Sequence, residues 1–209
     1  MKKLFTIAAV AVLGMTGVNA QDINFGAKAG VNFATVGGDI EDVDARTSFH
    51  VGAVAEIMIS DKFSVQPELM YSSQGFGSEY SDEILGTTVN YEETLKLDYI
   101  NLPVMAKYYV TEGLSIEAGP QIGFLMSADY EFEASAGGDS ESESEDAKDD
   151  FKSIDFGFGA GIGYKLDNGL NFSARYTLGL ANIAEDAEEG ESDFSIQNNV
   201  FQVSVGFFF

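Results

Sequence analysis

The sequence predicts an all-β fold: an eight-stranded antiparallel up-and-down transmembrane β-barrel with short periplasmic turns and long acidic extracellular loops. Three observations carry that expectation. Apolar and polar residues alternate with a period of two in eight segments, which is the signature of strands with one buried or lipid-facing side. The connections between those segments alternate short and long, as they do in barrels seated in an outer membrane. An export segment precedes the first strand.

The export segment is "MKKLFTIAAVAVLGMTGVNA". Lys2 and Lys3 precede an apolar run from Leu4 to Leu13, and small residues at Val18 and Ala20 mark a cleavage site. The apolar run is too short for a spanning helix, which needs roughly 20 residues. Residues 1–20 are therefore expected to be a signal peptide, and 21–209 a single outer-membrane barrel domain. Cysteine is absent, which excludes disulfides and thiolate metal sites. Lys and Arg total 11 against 34 Asp and Glu, and the net charge is -23, so electrostatic binding to nucleic acid is not expected. At 45% hydrophobic residues, the chain is too apolar for an acidic disordered protein.

The eight strands are expected near 23–35, 47–59, 63–75, 94–110, 114–128, 151–166, 170–181 and 195–209. Three connections are tight: "SDK" at 60–62, "TEG" at 111–113 and "DNG" at 167–169. Asn and Gly tolerate the positive φ of a tight hairpin, which makes the third the strongest turn signal. The connections 37–46, 76–93, 129–150 and 182–194 are long and polar. In the second segment Phe49, Val51, Ala53, Ala55, Ile57 and Ile59 share one face, opposite His50, Gly52, Val54, Glu56 and Met58. The apolar face suits lipid. In a soluble sandwich it would be the core, but export and loop segregation favour the membrane. Phe63, Tyr108, Tyr164, Phe172, Phe207 and Phe209 sit beside the short turns, where an aromatic girdle belongs. The fourth strand changes phase: Ile100, Leu102 and Val104 are apolar at even positions, Leu95 and Leu97 at odd ones. Either a bulge near Asp98–Ile100 resets the register, or the strand rises above the bilayer there.

The inward face carries Lys28, Glu56, Glu68, Lys107, Glu117, Asp155, Lys165 and Arg175. Buried charges need partners, so an interior salt-bridge network is expected, with Glu56, Lys107, Glu117 and Lys165 in one layer near the short turns. Eight strands leave an interior just wide enough for side chains to fill, which favours a plug over a selectivity filter. Gly157, Gly159, Gly161 and Gly163 in "GFGAGIG" face inward and make room for long neighbours such as Arg175. The stretch is not a nucleotide loop, because it lies within a strand and lacks the final glycine of that motif. The runs "GGDSESESEDAKDD" (137–150), "EDAEEGESD" (185–193) and "DIEDVD" (39–44) read as solvated, mobile acidic loops. No run has the spacing of a Ca²⁺ loop, so any Ca²⁺ binding there is expected to be weak and collective, and no resident cofactor is expected. The sole histidine, His50, faces the lumen with Ser48 and Ser72 nearby, but nothing in the spacing assembles a nucleophile, base and acid. No catalytic residue is assigned.

The chain resembles the outer-membrane β-barrel proteins of Bacteroidetes-type bacteria, the "porin family" or PorT-like group. The likeness is carried by "INFGAKAGVNFA" (23–34), "FSVQPELMYSSQGF" (63–76), "LDYINLPVMAKYY" (97–109), "SIEAGPQIGFLMSA" (115–128), "FGFGAGIGYKL" (156–166) and the terminal Phe209. The resemblance implies residence in the outer membrane and an aromatic C-terminal strand read by the assembly machinery, here Phe201, Phe207 and Phe209. The expected partners are outer-membrane lipid, lipopolysaccharide and that machinery, and the expected state is a monomer. The expected role is structural or surface-interacting, with a narrow passive diffusion pore as the alternative and a lipid-modifying enzyme as the lesser one.

Overall fold

The computed structural model describes residues 23–40, 43–84, 87–137, 139–185 and 195–209. The expected signal segment 1–20, residues 41–42 of the 39–44 run and most of the 185–193 run lie outside the described residues. The strands among the described residues are β1 (Ile23–Gly38), β2 (Asp44–Ser60), β3 (Phe63–Ile84), β4 (Thr87–Tyr109), β5 (Leu114–Ala136), β6 (Asp139–Asp146), β7 (Ile154–Lys165), β8 (Leu170–Gly179) and β9 (Ile196–Phe208). Eight of them close a ring in the order β4-β3-β2-β1-β9-β8-β7-β5, shut by the β4–β5 pairing, and β6 hangs from β5 outside the ring.

Closure depends on the last strand. β9 runs antiparallel to β1 from Gly26 opposite Phe208 to Gly38 opposite Ile196. The Phe209 N–H donates to the Phe25 carbonyl at 2.9 Å. A closed ring leaves no barrel edge for another chain to pair with. The expected tight turns join β2–β3, β4–β5 and β7–β8. In the last, Gly169 has φ +90, where a Cβ would also lie 2.4 Å from the Phe208 carbonyl oxygen.

The outer surface has the expected lipid character. Phe33, Phe49, Val51, Leu69, Ile116, Phe158, Ile162, Phe172, Phe201, Val203 and Phe207 are all exposed. Phe63 pairs with Tyr108 and Tyr164 with Phe172, which puts aromatic rows beside the short turns. A second aromatic row lies higher, where Phe33 and Phe201 meet at 6.2 Å between ring centroids. Phe201 and Phe207 are six residues apart on β9, about 20 Å at ~3.4 Å per residue. That separation is close to the ~25 Å apolar band of an outer-membrane barrel.

Two expected loops are strands instead. Residues 76–84 and 87–93 continue β3 and β4 as one hairpin, and 129–136 pairs with 139–146 as another. β4 holds 23 residues, about 75 Å at ~3.3 Å per residue, whereas a tilted strand crosses a bilayer in about 9–11. Its upper half therefore stands outside the membrane. The Ser/Glu alternation of 139–146, expected to be mobile, has the period of a strand and becomes β6, exposed along its whole length.

β4 carries no bulge near Asp98–Ile100. Its odd positions point inward without interruption, from Leu95 through Leu97, Tyr99, Asn101, Met105 and Lys107 to Tyr109. What changes is the surroundings. Below Tyr99 the lumen is polar and lipid lies outside; above it the lumen is apolar and water lies outside, so Lys96 and Asp98 face out. The strand rises above the bilayer, the second of the two sequence readings. The extra residue sits on β5: Asp98 pairs with Ser127 and Tyr99 with Leu125, leaving Met126 unmatched and exposed. This bulge flips the phase of β5 so that Ala128 joins Leu95, Leu97, Leu125, Ile183 and Ile196 in an apolar plug across the outer mouth.

Deleting Met126 would remove the flip and turn Ala128 and Phe132 outward. The expected outcome is a barrel that still assembles but loses its plug, read as faster protease cleavage within 147–153. Unchanged cleavage would count against the bulge as the cause of the plug.

Candidate functional site: the filled lumen

Side chains fill the barrel in layers, and the register decides which meet. Nearest the short turns, Phe208 lies buried as a floor, with the Lys165 ammonium 4.5 Å from its ring centroid. Gly26 leaves the space: a Cβ there would sit 3.0 Å from Phe208 Cδ1. Above the floor, Glu56 accepts from Lys165 Nζ at 2.8 Å and from Ser64 Oγ at 3.0 Å. Tyr109 OH also donates to Glu56, and Lys107 Nζ lies 3.3 Å from it.

The next layer is built on Glu68. Lys28 Nζ donates to its two oxygens at 2.9 and 2.8 Å. Arg175 grips the same carboxylate with both terminal nitrogens, at 3.0 and 2.7 Å, and turns its Nε to Glu117 at 2.8 Å. A forked guanidinium on a carboxylate is the strongest common ion-pair geometry. Gln66 joins the two layers: its Oε1 accepts from Lys107 at 3.0 Å and its Nε2 donates to Glu68 at 2.7 Å. The bonded chain thus runs Lys165–Glu56–Lys107–Gln66–Glu68–Arg175–Glu117, with Lys28 on Glu68. Glu117 registers opposite Lys107 but gives its ion pair to Arg175, not to the lower layer where it was expected. The inward glycines make this possible. A Cβ on Gly159 would lie 3.3 Å from Arg175 Cδ.

Asp155 stands apart from the network. Its described partner is Asn198, whose Nδ2 donates to Asp155 Oδ2 at 3.1 Å and to Tyr99 OH at 3.2 Å. No cation among the described residues bonds it, so the expectation that it shares the network is corrected. The cause is position: it lies just under the apolar plug, above the reach of Arg175.

Between Asp155 and Glu68 lies a group the sequence reading missed. His50 Nδ1 is 2.7 Å from Asn32 Oδ1, and its Nε2 is 2.8 Å from Ser204 Oγ. An amide oxygen can only accept, so Nδ1 carries the proton and Ser204 donates to Nε2. Ser48, expected near His50, instead donates to the Ser73 carbonyl at 2.6 Å. The signal that could have found Ser204 is the closure register: Gly30 pairs with His50 on one side and Ser204 on the other. With no side chain at Gly30, the two bond across it. Hydroxyl, imidazole and amide stand in the order of a nucleophile, base and orienter. All three are buried, and the adjoining void, lined by Lys28, His50, Glu68, Met70 and Arg175 among others, is about 10 Å³. That holds about one water and leaves no place for a substrate.

Among the described residues no group of three or more His, Cys, Asp or Glu could hold a metal ion. Outside the membrane, Tyr80 and Tyr91 stack at 4.9 Å and Tyr91 meets Phe132 at 5.9 Å. Desolvation and a hydrogen bond to the Glu93 carboxylate push the neighbouring Tyr130 phenol up to about 12.

Removing one member of a buried ion pair leaves the other uncompensated, at about 3–5 kcal/mol. Glu68→Gln is expected to cost that much, because it strips Lys28 of its ion partner and Arg175 of its fork. Glu117→Gln is expected to cost less, because Arg175 keeps Glu68. Denaturant unfolding of both variants in detergent checks the order; equal losses would contradict it.

The profile of a family described as outer membrane protein beta-barrel domain matches residues 19–185. No curated protein matches the chain. Among solved structures, it is similar to Ail, the attachment invasion locus protein of Yersinia pestis, at 12% identity and a TM-score of 0.47, covering 89% of this chain and 98% of that one. It is similar to Neisserial surface protein A at 11% identity and a TM-score of 0.46, covering 88% and 97%. A major outer membrane protein from Thermus thermophilus is 13% identical, with a TM-score of 0.46 and coverage of 90% and 100%. The family match spans most of the chain: it belongs to the outer membrane protein beta-barrel domain family and is an integral β-barrel protein of the bacterial outer membrane.

Proposed function

We propose that this barrel is a structural or surface-interaction protein of a Bacteroidetes-type outer membrane, with a lumen that does not conduct. The observation that carries the reading is the continuous filling of the lumen. Phe208 floors it, the Glu56 and Glu68 networks span it, and the apolar plug caps it. An ion crossing it would have to break several buried ion pairs at once, each costly to part. The same filling speaks against a lipid-modifying enzyme, since Ser204 and His50 are shut away from both lipid and solvent.

The partners in this reading are outer-membrane lipid and lipopolysaccharide along the exposed apolar belt, and the assembly machinery at the last strand. Phe201, Phe207 and Phe209 all face outward, and Phe209 is 83% exposed. Their accessibility, together with the aromatic C-terminal strand of the resembling family, supports an assembly signal. The state in this reading is a monomer.

The purified barrel in a planar bilayer is expected to give no stable channel openings; regular openings would replace this reading with the narrow pore. Phe209→Ala is expected to reduce insertion into the outer membrane while leaving refolded stability in detergent near that of the parent, because an 83% exposed ring buries little. Normal insertion of that variant, measured by membrane fractionation, would remove the assembly-signal role.

A further inference from the structure

The strand β6 plays no part in closing the barrel. It lies at the end of the sheet order, paired only with β5 among the described residues, and every one of its eight residues is exposed. Among the described residues nothing pairs with its outer edge, and such an edge presents backbone N–H and C=O groups as a template for another strand.

Its side chains are sorted by face. Asp139, Glu141, Glu143 and Glu145 pair with Ala136, Ala134, Phe132 and Tyr130, so the four carboxylates share a face with the aromatic residues of β5. Ser140, Ser142 and Ser144 take the other face. The register extends the rows: Glu141, Ala134, Tyr91 and Tyr80 lie in line, as do Glu143, Phe132, Glu93 and Ser78. The result is a comb of carboxylates about 7 Å apart, at ~3.4 Å per residue, beside a Tyr80–Tyr91–Phe132 ladder on the same face of the sheet.

We propose that this edge docks an extended Lys/Arg-rich polypeptide segment by strand addition. The proposal rests on the surface-interaction reading above and names the kind of partner. Charge selects the occupant. A second copy of β6 would set carboxylates opposite carboxylates in one phase of pairing and opposite serines in the other, and in both it doubles the negative charge along the edge with no cation to offset it. Anionic polymers meet the same repulsion from a chain of net charge -23. A segment with Lys or Arg at alternate positions places one cation opposite each carboxylate, while its backbone takes up the free edge. The charges that protect the edge from self-association thus become its specificity.

The test uses the full barrel in detergent micelles and a fluorescent eight-residue peptide of alternating Lys and Thr, followed by anisotropy at physiological salt. Saturable binding is expected. The triple variant E141Q/E143Q/E145Q should bind about three- to a hundredfold more weakly, as loss of three cross-strand charge pairs implies. S140A/S142A/S144A should bind as the parent does. The same peptide with its backbone N-methylated keeps its charge but cannot pair, and should also bind at least about tenfold more weakly. Equal binding by the triple variant, or equal binding of the N-methylated peptide, would overturn the proposal. Heat-shifted gel mobility verifies that each variant is folded. Absence of peptide binding to a non-conducting barrel sinks the docking edge alone, whereas channel openings sink the reading beneath it.

Discussion

A carboxylate held by two cations in the middle of a closed ring governs the rest of this molecule. Glu68 comes from β3, Lys28 from β1 and Arg175 from β8, so one ionic centre ties together strands on different sides of the barrel. Each of these charges would be prohibitively costly alone in a dry interior. Together they satisfy one another and leave little freedom in the register. A slip of one residue in any of the three strands would turn its charge to the lipid. The glycines follow from the same centre: a Cβ at Gly159 would crowd Arg175 Cδ at 3.3 Å, and bare backbone there leaves the side chain room to lie across β7. A lumen packed with long polar side chains needs bare backbone facing it, and the "GFGAGIG" pattern supplies that.

The interior changes chemistry along its axis, and the change tracks the medium outside. Where lipid surrounds the barrel, the inside is polar. Where water surrounds the extended hairpins, Leu95, Leu97 and Ile183 make a small apolar core like that of a soluble sheet protein. A strand that runs through both media must exchange its apolar face from outside to inside. β4 does so by composition alone, with Lys96 and Asp98 turned to water; β5 does so by inserting Met126.

These two strands also mark how far the sequence could be read. Alternation, turn chemistry and loop lengths were sufficient for eight strands, their closure and the inward set of charges, because each is a local pattern. Phe208 lies between the outward Phe207 and Phe209, and the period of two alone turns it into the lumen. The ends of β3, β4 and β5 were not, because polar residues on water-exposed hairpins carry no lipid-facing signal, and period two in "SESESE" looks like low complexity. A bulge is a one-residue event without its own composition, and Met126 looks like any other apolar residue. Ser204 and Asn32 stayed hidden for a different reason. Ser204 reaches His50 only once β9 meets β1, whereas Asn32 bonds it on a diagonal of the β1–β2 pairing. The split of Glu117 from Lys107 was equally out of reach, since the two are cross-strand neighbours and only the length of Arg175 decides the pairing.

The distribution of charge links the interior to the surface. In the lumen Lys28, Lys107, Lys165 and Arg175 stand against Glu56, Glu68, Glu117 and Asp155, an even balance. Among the described residues the acidic excess therefore lies outside the barrel wall, largely on the protruding strands. Balance inside is a condition of folding, because unpaired charge cannot be buried. Excess outside is under no such condition, because water and salt screen it. The two populations of charged residues thus answer to different constraints. Substitutions among the first should change whether the barrel holds together, and those among the second should change what it meets.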